Sequence, residues 1–208
     1  MTAAVLALHW QVNVIEPEGF FGPMLAAPVE ESGVVDRAAA FHDAALAAGV
    51  PVIFTRFTVP EDEGDLVRNT AFMVAVGDAQ EAFRPDAEGA RIVASMRDQP
   101  TAVYDNQRLS GLAGPATGWL AEHGIDTIYI TGVATNLTVE QTARHGTDLG
   151  LLVHVVGDCT AAADPAVHAA SLAKSRPRHR GSAHGCGSGG PVRELTRGVS
   201  AAWRRRCA

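Results

Sequence analysis

A chain of 208 residues, 47% hydrophobic and 19% charged, suits one globular domain with a sizeable core. No apolar run reaches the ~18 residues a membrane span needs, so a membrane partner is excluded at this level. The net charge of −6 is unevenly divided. Residues 1–173 carry eight Arg, no Lys and 22 acidic residues, whereas residues 174–208 carry eight Arg, Lys174 and the single acid Glu194. An acidic body argues against nucleic acid as its partner.

Ala3 to Leu8 is a continuous apolar run, the pattern of a buried parallel strand. Val34 to Ala48 is an Ala-rich helix ended by Gly49, and Pro51 to Thr55 is a second strand. Residues 57–87 are polar and punctuated by Pro and Gly. That is long for a connection, and such excursions often cover sites. A short helix is expected near 88–96, a third strand over Thr101–Tyr104 and a helix over Pro115–His123. A fourth strand follows over Ile125–Thr131, then a helix over Thr138–Leu149, a fifth strand over Leu151–Val156 and a helix from Pro165 to Ala173. Strands alternating with helices imply βαβ units. The expected fold is three-layer α/β/α, Rossmann-like, with a mainly parallel sheet of five or six strands.

The pattern breaks after Ala173. Residues 174–208 hold six Gly and eight Arg with almost no periodic apolar face. They read either as a natural basic tail or as the product of a frameshift in a GC-rich gene, and no packed role is assigned to them. The expected division is therefore a domain over 1–173 and an atypical tail over 174–208. Cys159, Cys186 and Cys207 lack metal-ligand spacing, and the first residues lead directly into a strand. A cytoplasmic location and no metal or other cofactor are expected.

The stretch Ile130-Thr131-Gly132-Val133-Ala134-Thr135-Asn136-Leu137-Thr138-Val139-Glu140-Gln141-Thr142-Ala143-Arg144 resembles the signature of isochorismatase-like cysteine hydrolases. Two weaker pieces stand in the right order. Leu8-His9-Trp10-Gln11 resembles the end of the family's first strand, and Asn106-Gln107-Arg108-Leu109-Ser110 the segment after its third. The resemblance covers about residues 3–173. It implies a catalytic aspartate, lysine and cysteine, but His9, Asn106 and Thr138 stand at those positions. It also implies a cis peptide at Val133–Ala134, shaping an oxyanion hole, and a homo-oligomer. Thiolate attack is not available to such a set.

The three substituted positions fall at strand carboxyl ends, where open parallel sheets bind ligands. A histidine titrates near neutrality, so His9 could act as general acid or base. Asn106 could hydrogen-bond a carbonyl, or serve only as a turn residue. Thr138 could help hold an oxyanion, or serve only as a helix N-cap. Trp10, Phe20, Gln11, Arg108, Val133 and Ala134 are the candidate substrate-binding residues around them; Trp10, Phe20 and Phe21 could equally be core. Two functions follow. One is a small-molecule enzyme using non-covalent acid–base chemistry in hydrolysis, isomerisation or cyclisation, of the kind specialised biosynthesis recruits. The other is a catalytically inactive ligand-binding or partner subunit. A closed, mainly apolar cavity with His9 facing inward favours the first.

Overall fold

The computed structural model describes residues 2–174. The basic tail, from residue 175 onward, lies outside the described residues. The elements run β1 (Ala3–Leu8), α1 (Val12–Ile15), α2 (Gly22–Ser32), α3 (Val34–Ala47), β2 (Val52–Phe57), α4 (Ala71–Asp78), β3 (Ala102–Asn106), α5 (Ala116–Glu122), β4 (Thr127–Val133), α6 (Glu140–Asp148), β5 (Leu152–Ala161) and α7 (Pro165–Lys174). The five strands form one parallel sheet in the order β3-β2-β1-β4-β5.

The central strands are apolar on both faces because both faces meet helices. Val5, Ala7, Val52, Phe54 and Tyr129 pack on one side with Leu25 and Val29 of α2 and Ala38, Phe41 and Ala45 of α3. Ala4, Leu6, Leu8, Ile53, Ile128 and Ile130 pack on the other with Ala116 and Leu120 of α5 and Ala143 of α6. Alternate residues of β1 thus serve opposite cores, which is why the strand reads as an unbroken apolar run. This is the expected three-layer arrangement, with five strands among the described residues.

Several elements depart from the sequence reading. The expected helix near 88–96 is two 3₁₀ turns, Glu88–Ala90 and Ala94–Met96. A side chain at Gly89 would collide with Asn13, so this segment is held by tertiary packing rather than by helix propensity. The helix after β4 does not begin at Thr138. A π-helical turn spans Thr135–Val139, and α6 follows it. β5 runs five residues beyond the expected Val156, past a register shift between Ile130 and Gly132 of β4. The excursion over 57–87 folds α4 onto a third apolar cluster of Phe57, Val59, Met73, Val76 and Phe83, beside the carboxyl end of β2.

Candidate functional site

The carboxyl ends of β1 and β4 are locked side by side, with Leu8 opposite Gly132. Gly132 has φ 134°, and a Cβ there would lie 2.3 Å from the Leu8 carbonyl oxygen, so only glycine permits this approach. Immediately beyond the pair stand His9 on β1 and the Val133–Ala134 bond on β4, which is cis. The chain then enters the π-helical turn that carries Thr138. Two bonds from α7 hold that turn: the Thr135 hydroxyl to His168 Nδ1 at 2.8 Å and the Ser171 hydroxyl to the Thr135 carbonyl at 3.3 Å.

His9 adopts φ 56°, a left-handed conformation that costs a non-glycine residue about 1–2 kcal/mol. Its amide donates to the Thr55 carbonyl at 3.0 Å, and its ring meets Phe57 edge-on at 6.2 Å. The residue is 4% exposed. Neither ring nitrogen has a hydrogen-bond partner among the described residues, and Nε2 is fully enclosed. Burial lowers the imidazole pKa from the usual 6.5 to about 4. The expectation of titration near neutrality is corrected accordingly: His9 is a neutral imidazole at pH 7, able to accept or donate one hydrogen bond but not standing as an acid.

A cavity of about 240 Å³ opens at this point. His9, Thr138, Val133 and Ala134 line it. The rest of its wall is mostly apolar. Leu25 and Met24 come from α2, Phe72 and Val76 from α4, Phe57 from β2, and Phe21, Leu109 and Leu137 from connecting segments. The wall contains no Asp, Glu, Lys or Arg. Thr138 donates its hydroxyl to the Val133 carbonyl at 2.9 Å. It is neither the helix N-cap nor a free donor for an oxyanion, and only its oxygen lone pairs remain to accept.

Five of the expected site residues do not line this cavity. Asn106, expected beside His9, is buried at the end of β3. Its Oδ1 accepts from the Arg108 amide at 3.0 Å, while its Nδ2 has no partner among the described residues. Gln11 clamps backbone instead: Oε1 accepts from the Phe57 amide at 2.7 Å, and Nε2 donates to the carbonyls of Phe57 and Ala90. Three of its four hydrogen-bonding positions are therefore occupied by protein. Trp10 is core, its indole N–H donating to the Thr131 hydroxyl at 3.3 Å. Phe20 packs edge-on against Phe21 and Phe83 and supports the wall without forming it; its neighbour Phe21 is the lining residue. Arg108 is half-buried, with no side-chain hydrogen bond or ion pair among the described residues. Sequence reasoning missed Met24, Leu25, Phe72 and Val76. The only signal for the last two was the unusual length of the 57–87 segment.

Among the described residues, four of the five buried polar side-chain atoms without partners lie at or near strand ends: His9 Nε2, Thr55 Oγ1, Thr58 Oγ1 and Asn106 Nδ2. Native cores rarely leave such groups orphaned, and clusters of them mark sites of function. The contrast is His42, which is equally buried and equally depressed to a pKa of about 4. Its ring nitrogens are both satisfied, by Gln99 at 3.0 Å and Thr131 at 2.9 Å. His42 is a structural histidine, and His9 lacks everything that makes it one. Among the described residues no group of three or more His, Cys, Asp or Glu side chains is placed to hold a metal ion. No helix among them is long and apolar enough to cross a membrane.

The same architecture recurs in solved structures. A cysteine hydrolase from Pseudomonas syringae pv. phaseolicola 1448A superposes with a TM-score of 0.74 at 20% identity, over 96% of this chain and 93% of that one. An isochorismatase family protein from Desulfovibrio vulgaris subsp. vulgaris str. Hildenborough gives 0.71 at 22% identity, over 84% and 90%. Nicotinamidase PncA from Bacillus subtilis gives 0.64 at 16% identity, over 83% and 93%. At these identities the likeness is one of fold. In sequence, 59 residues are 39% identical to YecD, an uncharacterized isochorismatase family protein of Escherichia coli O157:H7, spanning 28% of this chain and 31% of that protein. The isochorismatase domain model matches residues 3–183, the whole of the described domain and the first ten residues of the basic tail. With the fold, the strand-end crevice and this match in agreement, the chain belongs to the isochorismatase family.

Proposed function

We propose that this protein is a small-molecule enzyme that works by non-covalent acid–base chemistry, with His9 as its general base. The observation that supports this reading is the unpartnered imidazole of His9, held in a strained backbone conformation against a mainly apolar cavity. Strain and an unsatisfied buried group both cost stability, and such costs concentrate at functional sites. A neutral imidazole takes a proton from substrate or from a bound water and returns it within the same turnover, so no covalent intermediate forms. Negative charge developing on the substrate beside the ring raises its basicity, because the surrounding dielectric is low. Hydrolysis, isomerisation and cyclisation all fit this cycle. Cytoplasmic residence and a homo-oligomer go with the reading through the family resemblance.

The second reading, a ligand-binding protein without turnover, is favoured by one observation. The Thr138 hydroxyl proton is engaged by Val133, so the residue at the family's nucleophile position offers no donor to a developing oxyanion. Kinetics separate the two. For a substrate found by screening, His9→Gln is expected to lower kcat by ~10²-fold or more while KM changes little. Unchanged turnover in His9→Gln would remove His9 as the base, and binding without conversion of any bound compound would place the protein in the second class.

A further inference from the structure

The cavity has a chemical character that narrows its ligand. None of its fifteen lining residues carries a formal charge at neutral pH. The arginines near it are committed elsewhere. Arg56 makes a two-point ion pair with Asp105, Arg68 pairs with Glu63 and Asp78, and Arg84 binds Glu81 and the Val59 and Pro60 carbonyls. Arg108, without an ion-pair partner among the described residues, is not part of the wall. A carboxylate or phosphate entering this space loses its hydration and meets no cation among the described lining residues, a transfer that proteins rarely tolerate.

The wall is aromatic on one side. Phe21 and Phe72 lie nearly parallel, with ring centroids 5.6 Å apart and planes 11° apart, and Phe57 closes the wall next to His9. Apolar character continues outward. Met24, which lines the cavity, is 53% exposed, and the neighbouring Phe20 is 39% exposed. Exposed apolar side chains that continue a concave apolar lining mark a ligand entrance rather than chance exposure.

Building on the acid–base reading of the same site, we propose that the cavity selects an uncharged, largely apolar and preferably aromatic small molecule. Such a ligand carries one hydrogen-bonding group, which pairs with the His9 imidazole, and ligands bearing a carboxylate are rejected. The His9 ring is the one buried polar group of the wall left without a partner, so a single hydrogen bond from the ligand completes the site.

Matched pairs test this: 2-naphthamide against 2-naphthoate and 1-naphthol against 1-naphthoate, with affinities read by calorimetry at pH 7.5. The full-length chain is used alongside the variants Val76→Arg and Phe72→Trp. The neutral member of each pair is expected to bind at least ~100-fold more tightly than the anion. Val76→Arg supplies the missing cation and is expected to narrow that ratio by ~10-fold or more. Phe72→Trp fills the space and is expected to abolish binding of the neutral member. Circular dichroism of both variants verifies the fold, and Leu109→Arg and Leu25→Trp replace them if either fails to fold. Anion binding equal to or tighter than neutral binding overturns the selection. So does the absence of any neutral binding that the cavity-filling variant removes. Failure of the His9→Gln kinetics sinks the enzyme reading and leaves a measured neutral preference standing, whereas tighter anion binding sinks the selectivity and leaves that kinetic test intact.

Discussion

Replacing His9 by glycine is expected to leave the fold as stable as the wild type or more so, and the advantage should grow as pH falls. Truncating a buried side chain normally costs about 2–5 kcal/mol. At this position three terms oppose that loss. Glycine accepts φ 56° freely, which recovers about 1 kcal/mol of backbone strain. Removing an enclosed nitrogen without a partner recovers about 1–3 kcal/mol of desolvation. Removing the group also removes its linkage to pH. The sign follows from the proton inventory. With a pKa of about 4 folded and 6.5 unfolded, His9 binds a proton in the unfolded chain first. Its contribution to stability is therefore whole above pH 6.5 and is lost as pH falls toward 4, by about 3 kcal/mol for a shift of this size. His42 has the same directions, so the wild type loses stability over that window through both histidines and His9→Gly through one. Urea denaturation at pH 7.5, 6 and 5 measures both quantities. At pH 7.5 the variant is expected within about 1 kcal/mol of wild type or above it, and the two curves should diverge in its favour toward pH 5. A loss above about 2 kcal/mol at pH 7.5 with parallel pH dependence would refute the assignment of His9 as a strained, unsatisfied group.

Thr131→Val should cost about 2–3 kcal/mol in the same assay, because one hydroxyl serves both His42 and the Trp10 indole; a change under about 0.5 kcal/mol would show that the network is not stabilising. Gly132→Ala should prevent folding or lower Tm by more than ~10 °C, since its Cβ meets the Leu8 carbonyl at 2.3 Å; a well-folded variant would show that the β1–β4 approach is looser than described. Thr138→Cys should not create nicotinamide hydrolysis, as followed by ammonia release, because His9 and Asn106 still stand where the family resemblance places a carboxylate and an amine. Iodoacetamide treatment and Cys159→Ala should leave wild-type turnover unchanged; loss of activity in Cys159→Ala would place the nucleophile there, and loss with iodoacetamide would show that some thiol is needed.

The fold was legible because its signals are local. Ala3–Leu8 reads as a buried strand from its continuous apolar run, Ile125–Thr131 reads as the fourth strand and stands at Thr127–Val133, and Gly49 marks a helix end. The strand-end position of His9 was legible for the same reason, since it directly follows such a run, and Thr138 stands five residues beyond the end of the fourth strand. The cavity wall was not. Phe72 and Val76 come to His9 only because α4 folds back across the end of β2, a long-range closure without a periodic signature. Gln11 and Trp10 looked available for ligand because both carry donors beside the site, yet their partners are Phe57 and Thr131, more than forty positions away in the chain. The depressed pKa of His9 was hidden as well, because burial is a property of the assembled wall and not of the residue.

The central claim is that His9 is the polar anchor of an apolar ligand site. A crystal structure of the protein soaked with 2-naphthamide tests it most directly. The account predicts the aromatic ring between Phe21, Phe57 and Phe72, with the amide within ~2.6–3.2 Å of a His9 ring nitrogen. An amide bound elsewhere, or a His9 ring whose nitrogens are both satisfied by protein groups, would contradict it.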